Sequence, residues 1–358
     1  VSCLRYWVTA YRVDGFRFDL ASILGRNEDG SPMEKPPLLQ QLAFDPILGD
    51  VKLIAEAWDA GGLYQVGKFP SWNRWAEWNG RYRDDIRRYL KGDEGTAGAA
   101  ALRIAGSSDI YDPSVRDNAS VNFITCHDGF TLYDLYSYNV KHNESNGWNN
   151  TDGSNDNHSW NCGAEGETED KAVNTLRRRM IRNACAVLMC SRGIPMFLAG
   201  DEFGNTQFGN NNPYCHDDEV SWLDWGLLEK NQDIFRFFKS MIHFRKEHPV
   251  LRSNVSNGFG GLPDISFHGT RPWAMGFSGS DRYIGVMMAG QEEGKQPEAV
   301  YIASNAYWEQ LEAVLPKLPD GMEWFRAVNT WDAQVSESGP VGSGFTIPPR
   351  TVMVFCGR

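Results

Sequence analysis

The sequence predicts an α/β protein built on a parallel sheet and followed by a smaller antiparallel β-sandwich. Two observations carry this expectation. Up to about residue 250, short apolar strands alternate with amphipathic helices, the pattern of strand–helix units that form a parallel sheet. From about 255 onward the helical periodicity stops, and short apolar segments follow one another between Gly, Pro, Asn and Asp, as in a sandwich. A length of 358 residues suits one large and one smaller domain, with 1–254 and 255–358 as the expected division.

In chain order, Leu4, Trp7, Val8 and Tyr11 fall at helical spacing, so the chain opens on an amphipathic helix. VDGFRFDL then reads as a short strand, GRNEDGSPMEKPP as a loop, and 38–48 as a helix. KLIAEAW, at 52–58, is a continuous apolar run of the kind found in buried strands, and it ends next to a carboxylate. RYRDDIRRYL predicts a helix and VNFITCHD a second buried strand. After a further helix comes a long loop, 139–169, rich in Asn, Gly and Asp; loops of that length are commonly functional or mobile. Val173, Leu176, Met180, Ala184, Val187 and Leu188 then mark one face of a helix, IPMFLAGDE a strand, and Ile234, Phe238, Met241 and Ile242 another helix. ISFHGT, WAMGFSG, YIGVMMAG, AVYIASN, LEAVLP and TVMVFCG are the segments expected to build the sandwich.

Composition narrows the function classes. The formal net charge is -11, which disfavours phosphate-backbone partners. The densest basic run, 177–179, reads as a solvated helix face, so nucleic acid is not an expected partner. No run of about 18 apolar residues suggests a membrane span, and the opening residues do not have the pattern of a signal peptide. Cys3, Cys126, Cys162, Cys185, Cys190, Cys215 and Cys356 form no CxxC pair and are expected to be reduced, mostly packed thiols. The Asn-x-Ser/Thr triplets at Asn143 and Asn157 are expected by chance in an Asn-rich chain.

Three of the buried-looking strands each end in an acid: Asp19, Glu56 and Asp128. In a parallel sheet all strand C-termini lie on one side, so these carboxylates are candidates to converge. Arg17 stands two residues before Asp19 and shares its face; a guanidinium there keeps an aspartate ionised, as a nucleophile requires. Glu56 follows LIA and is flanked by Trp58, and a partly desolvated Glu can serve as a proton donor. One ionised and one protonated carboxyl group are what glycosidic cleavage needs. Asp128, with His127 beside it, could hold sugar hydroxyls and steady developing positive charge. Any one of these acids alone could equally be a loop cap or an ion-pair partner. Thirteen Trp residues also suit a carbohydrate reader, whose flat rings stack on sugars, although packing of helices onto the sheet explains many of them. SWNRWAEWNGRY is the densest cluster.

DGFRFDLAS, LIAEAWDAGGLYQVGKFPSWNRWAEWNGRYRDD and NFITCHDGFTLYDL resemble three successive signature segments of the α-amylase superfamily. The surrounding text is similar to isoamylase-type starch- and glycogen-debranching enzymes, especially those of plants and algae. NDNHSWNCGAEGET, GIPMFLAGDEFGNTQFGNNNPYCHD and FRFFKSMIHFRKEHPVL extend the resemblance over roughly 1–250.

The resemblance implies an amylase-type (β/α)8 TIM barrel followed by the sandwich, and a retaining mechanism on α-1,6 branch points of starch- or glycogen-type glucans. Asp19 corresponds to the nucleophile, Glu56 to the general acid/base and Asp128 to the transition-state-stabilising acid. Arg17 and His127 line the reacting sugar's subsite, with Trp58 as a further substrate-binding candidate. The family's first signature segment and the first three barrel strands have no counterpart here, so the chain is expected to be part of a longer protein and inactive or poorly folded by itself. Related alternatives are an α-1,4 hydrolase, a branching transferase, or a non-catalytic glucan-binding subunit of an isoamylase complex; assembly with itself or other isoamylase subunits also follows from the resemblance. The relatives imply the plastid stroma, or the cytoplasm for a bacterial host. No cofactor is expected, since GxGxxG and Walker-type loops do not occur. The stretch 152–163 fails the calcium-loop pattern at Asn157 and Gly163; a structural calcium at some other place stays open.

Overall fold

Short strands of four residues organise the first part of the protein. The computed structural model describes residues 1–112, 119–252, 258–274, 277–292 and 294–358. These form two compact units, 1–81 with 106–122, and 82–105 with 123–358.

The first unit begins with α1 (Ser2–Tyr11), which has no fully buried residue. Leu4 and Val8 pack against the unit's core, whereas Trp7 and Tyr11 remain exposed, so only part of the expected apolar face is used. Strands β1 (Gly15–Phe18) and β2 (Lys52–Ala55) pair in parallel, with Phe18 opposite Ala55. β1 is shorter than VDGFRFDL suggested. Between these strands α2 (Pro37–Ala43) starts with proline in its first turn, where the missing N–H costs nothing. It stops before residue 48 because the Asp45 carboxylate accepts the N–H groups of Ile47 and Leu48, a local turn that competes with the helix. β3 (Trp75–Trp78) pairs in parallel with β2, and β4 (Ser120–Phe123) with β3. β3 lies inside the aromatic cluster, where sequence showed no strand alternation; Trp75, Glu77 and Trp78 are all buried, so no polar face marks it.

The second unit contains α3 (Gly80–Lys91) from Tyr82 onward, then α4 (Ala97–Ile104), α5 (Leu132–Leu135) and α6 (Lys171–Cys190). β5 (Ile194–Met196), the fifth strand in the order of the parallel sheet, is followed by α7 (Gly226–Lys230) and α8 (Gln232–Glu247). The Ala-rich α4 gave little apolar contrast to detect. Asp170 caps α6 through the N–H groups of Ala172 and Val173. The expected solvated face at 177–179 is not what forms. Arg177 is 1% exposed and donates to the carbonyls of Gly166, Asn161 and Ala164. Arg178 pairs with Asp233, and Arg179 lies 3.7 Å over the Trp331 ring. The three guanidinium groups meet loop carbonyls, an acid and an aromatic ring outside their own helix, which a local charge run does not reveal.

The antiparallel part has a large sheet in the order β11-β10-β14-β8-β7-β6. Its members are β6 (Ile265–His268), β7 (Tyr283–Gly290), β8 (Glu298–Asn305), β10 (Trp324–Asn329), β11 (Gln334–Val335) and β14 (Thr351–Gly357), with β12 (Pro340–Val341) also on β10. A two-stranded sheet pairs β9 (Leu311–Val314) with β13 (Gly344–Ile347). Strand alternation divides β7 cleanly. Ile284, Val286 and Met288 join the core that includes α6 and α8, while Tyr283, Met287 and Ala289 join a second core with Ala313 and Ile347. A sheet covered on both faces reads as a continuous apolar run, as YIGVMMAG does. Gly285 is needed here because a Cβ would collide with the Tyr301 ring. WAMGFSG forms no strand in its described residues, and 275–276 lie outside them. β10 was not anticipated; Arg326 and a bulge before Val328 interrupt its apolar pattern.

All seven cysteines are free, and only Cys3 and Cys215 are exposed. Among the described residues no helix is long and apolar enough to cross a membrane, and no group of three or more His, Cys, Asp or Glu is placed to hold a metal ion.

Candidate active site

The first unit brings together Arg17, Asp19 and Glu56. Parallel pairing puts the ends of β1 and β2 side by side: the Glu56 N–H donates to the Phe18 carbonyl at 3.1 Å, and the Ala21 N–H to the Glu56 carbonyl at 2.9 Å. Asp19 and Glu56 therefore leave adjacent strands just past their last ladder bonds. Arg17 Nη1 lies 2.8 Å from Asp19 Oδ1, and Arg17 Nη2 lies 2.9 Å from Glu56 Oε1. One guanidinium thus holds both carboxylates, a use of its forked geometry. The Trp78 ring fixes it from the other side, 4.2 Å from the guanidinium carbon.

The two acids differ in surroundings. The Asp19 side chain is 72% exposed and that of Glu56 is 2% exposed. Burial of Glu56 agrees with the sequence expectation, but its surroundings are not simply apolar. Besides Arg17, the backbone N–H of Leu20 donates to Glu56 Oε2 at 2.7 Å. Leu20 has φ 41° and ψ 47°, a left-handed conformation that costs a non-glycine residue about 1–3 kcal/mol. This strained turn aims the amide at Glu56 and leaves the Asp19 carboxylate facing solvent.

Trp58 stands two residues beyond Glu56 and stacks on Tyr64, with centroids 6.0 Å apart and planes at 13°. The turn between them is tied to Asp59, whose carboxylate binds Arg26 at 2.6 and 3.0 Å and accepts the N–H groups of Gly61 and Leu63. The Arg26 hydrogen bond is the main reason that Asp59 is held down to about 2.

His127 and Asp128 lie in the second unit. They are adjacent in sequence and both exposed, with His127 Nε2 3.6 Å from Asp128 Oδ2. They follow β4 in irregular backbone, so the strand predicted over 121–128 ends early. The residues before and after them are anchored: Thr125 Oγ1 donates to the buried Asp201, and the Gly129 N–H donates to the Asn211 carbonyl at 3.0 Å.

Sequence reasoning missed Trp78, the Leu20 amide and Glu77. Glu77 is fully buried and accepts from the Gly67 N–H at 2.6 Å and the Tyr111 hydroxyl at 3.3 Å. The signal available for Trp78 was the aromatic cluster itself; the Leu20 conformation had none.

The chain is 46% identical over 347 residues to chloroplastic isoamylase 3 of Oryza sativa subsp. japonica, covering 96% of this chain and 43% of the relative. It is 46% identical over 357 residues to the chloroplastic isoamylase SU1 of Zea mays, covering 92% and 44%. It is 42% identical over 387 aligned residues to the glycogen operon protein GlgX homologue of Mycobacterium tuberculosis, covering 98% and 51%. The chain therefore spans about half the length, or somewhat less, of the curated relatives it matches. No family model matches it. Among solved structures, pullulanase type I of Bacillus subtilis complexed with maltose superposes with a TM-score of 0.70 at 20% identity, covering 99% of this chain and 45% of that one. Pullulanase from Bacillus acidopullulyticus gives 0.69 at 20% identity, covering 99% and 39%. These structures give the fold: parallel strands of an amylase-type barrel followed by an antiparallel β-sandwich.

Proposed function

We propose that this chain, a homologue of the chloroplastic isoamylases and of the GlgX proteins, is the catalytic part of a hydrolase that cleaves α-1,6 branch linkages in starch- or glycogen-type glucans. The observation that carries the proposal is the single guanidinium of Arg17 shared by an exposed Asp19 and a buried Glu56, in a chain 42–46% identical to these relatives.

In this mechanism the Asp19 carboxylate attacks the anomeric carbon while protonated Glu56 gives its proton to the departing O6 oxygen. The C1–O6 bond breaks, a covalent glucosyl ester forms at Asp19, and one glucan chain leaves. Glu56, now a carboxylate, takes a proton from water; that water attacks C1 and releases Asp19. Both Glu56 oxygens face donors in the free protein, so seating the proton exchanges one of those bonds as substrate enters. Two displacements at one carbon retain the anomeric configuration, and this chemistry expects the two carboxyl groups about 5–5.5 Å apart. Asp128 and His127 are assigned to hold the hydroxyls of the reacting sugar and to stabilise its developing charge. Trp58 supplies a ring for stacking.

The proposal keeps the barrel portion up to residue 254 and the sandwich from 255; that boundary falls within 253–257, outside the described residues. Placement in the plastid stroma follows the chloroplastic relatives, while the GlgX homologues point to a bacterial counterpart. Assembly with itself or with other isoamylase subunits belongs to the same proposal and is tested by light scattering.

The experiment is a debranching assay on amylopectin, run on this chain and on a form extended upstream, each with a Glu56→Gln control. Release of linear chains by the parent alone supports the proposal. Glucan binding without release in either form would assign a binding subunit instead.

A further inference from the structure

Exposed aromatic rings standing singly are ordinary on a protein surface. Trp148 and Tyr214 are a different case. They are 59% and 66% exposed, come from loops 66 residues apart, and are joined tip to tip, the Trp148 indole N–H donating to the Tyr214 hydroxyl at 3.0 Å. Their polar ends are mutually engaged while large parts of both side chains stay open to solvent.

The ground beneath them is a buried knot of amides. Asn143 donates to Asn211 Oδ1 at 2.9 Å, and the Asn211 N–H returns to Asn143 Oδ1 at 2.9 Å. Asn146 donates to Asp152 at 2.7 Å and to the Asn212 carbonyl at 2.9 Å, and accepts from Asn210 at 2.6 Å. Asn143, Asn146, Asn210 and Asn211 are all buried. Lys141, also buried, closes the loop onto the carbonyls of Asp152 and Gly153. Gly153 is required there, since a Cβ would come within 2.7 Å of Asn143 Nδ2. Trp148 rides on a tight turn in which Gly147, Asn149 and Asn150 all have positive φ, a conformation Asn accepts more readily than other side chains. So much buried hydrogen bonding under an exposed loop serves to hold its tip in one place.

We propose that Trp148 and Tyr214 form a preorganised stacking platform for a linear stretch of α-glucan, carried by the same unit as Asp128. It rests on the glucan reading above. Planar rings with engaged polar tips suit the flat faces of glucosyl units, and fixing them beforehand removes the ordering cost of binding. The neighbouring Glu144, Asp217 and Asp218 make the surroundings unsuited to an anionic chain. The link to the proposed chemistry is physical: Asn211, at the centre of the knot, accepts the N–H of Gly129, next to Asp128.

The test uses the full-length protein and measures maltohexaose affinity by calorimetry, with kcat and KM on amylopectin. Trp148→Ala and Tyr214→Ala are each expected to weaken maltohexaose binding about three- to tenfold and to raise KM with kcat unchanged, while Trp148→Phe retains most of the affinity. Equal thermal midpoints show that the fold is intact. If the parent binds and debranches but both Ala variants match it, the platform is wrong and the function stands. If the parent neither binds nor cleaves glucan, the functional reading fails and the platform with it.

Discussion

Arg17 Nη2 lies 2.9 Å from Glu56 Oε1, pairing a partly exposed guanidinium with a carboxylate that is 2% exposed. The same guanidinium holds Asp19 at 2.8 Å, so the position of each acid depends on the other through one side chain. Replacing Arg17 with Lys gives up the fork. A point charge cannot hold two carboxylates from fixed nitrogens, and a misplacement of about 1 Å at a reacting group costs on the order of 10²-fold in rate. Arg17→Lys is expected to lower kcat by that order with folding preserved. A kcat within twofold of the parent would remove Arg17 from the positioning role.

Glu56→Gln keeps the shape and one acceptor oxygen but has no proton to give. Loss of a general acid costs about 10²–10⁴-fold. Debranching should fall by that range while glucan binding stays within a few-fold. Equal loss of binding and rate would mean that the substitution disturbs the site rather than the proton transfer.

The sequence made the two acids legible because each ends an apolar strand, and Arg17 because it lies one strand period from Asp19. The second partner of Arg17 was not legible. It depends on β1 and β2 pairing with Phe18 opposite Ala55, a long-range register that local pattern does not encode. Leu20 was hidden for another reason, since nothing about a leucine announces φ 41°. β3 escaped because a strand buried at both edges of its pattern loses the alternation that identifies strands, and Arg177 because a buried arginine satisfying loop carbonyls looks, in sequence, like any surface arginine.

That Arg177 carries a stability prediction of its own. It supplies the donors for the carbonyls of Gly166, Asn161 and Ala164. Arg177→Met leaves those acceptors without it and is expected to destabilise the protein by about 3 kcal/mol. Urea unfolding measures this directly, and a change under about 0.5 kcal/mol would show that water replaces the guanidinium without loss.

Stability should also depend on pH through two buried acids. Burial pushes Asp201 up to about 7 and Asp134 up to about 6; bonds from Thr125 and the Leu132 N–H to Asp201 offset only part of this. A carboxyl raised in the folded state keeps its proton after the unfolded chain has lost it. Its stabilising contribution is therefore full below about pH 4 and is lost as pH rises through 6 to 7. Asp201→Asn removes the titration, so the stability of the variant relative to the parent should improve from pH 4 to pH 7.5, by at most about 4 kcal/mol. A pH-independent difference would place the Asp201 proton elsewhere.

The most direct test of the central claim is to trap the covalent intermediate. Glu56→Gln, unable to activate water, would be mixed with α-maltotriosyl fluoride, whose fluoride departs without a proton from Glu56, then quenched, digested and analysed by mass spectrometry. The mechanism predicts an added glucosyl chain on the peptide that carries Asp19, absent in the additional Asp19→Asn variant. An adduct on another residue, or turnover with inversion and no adduct, would contradict it.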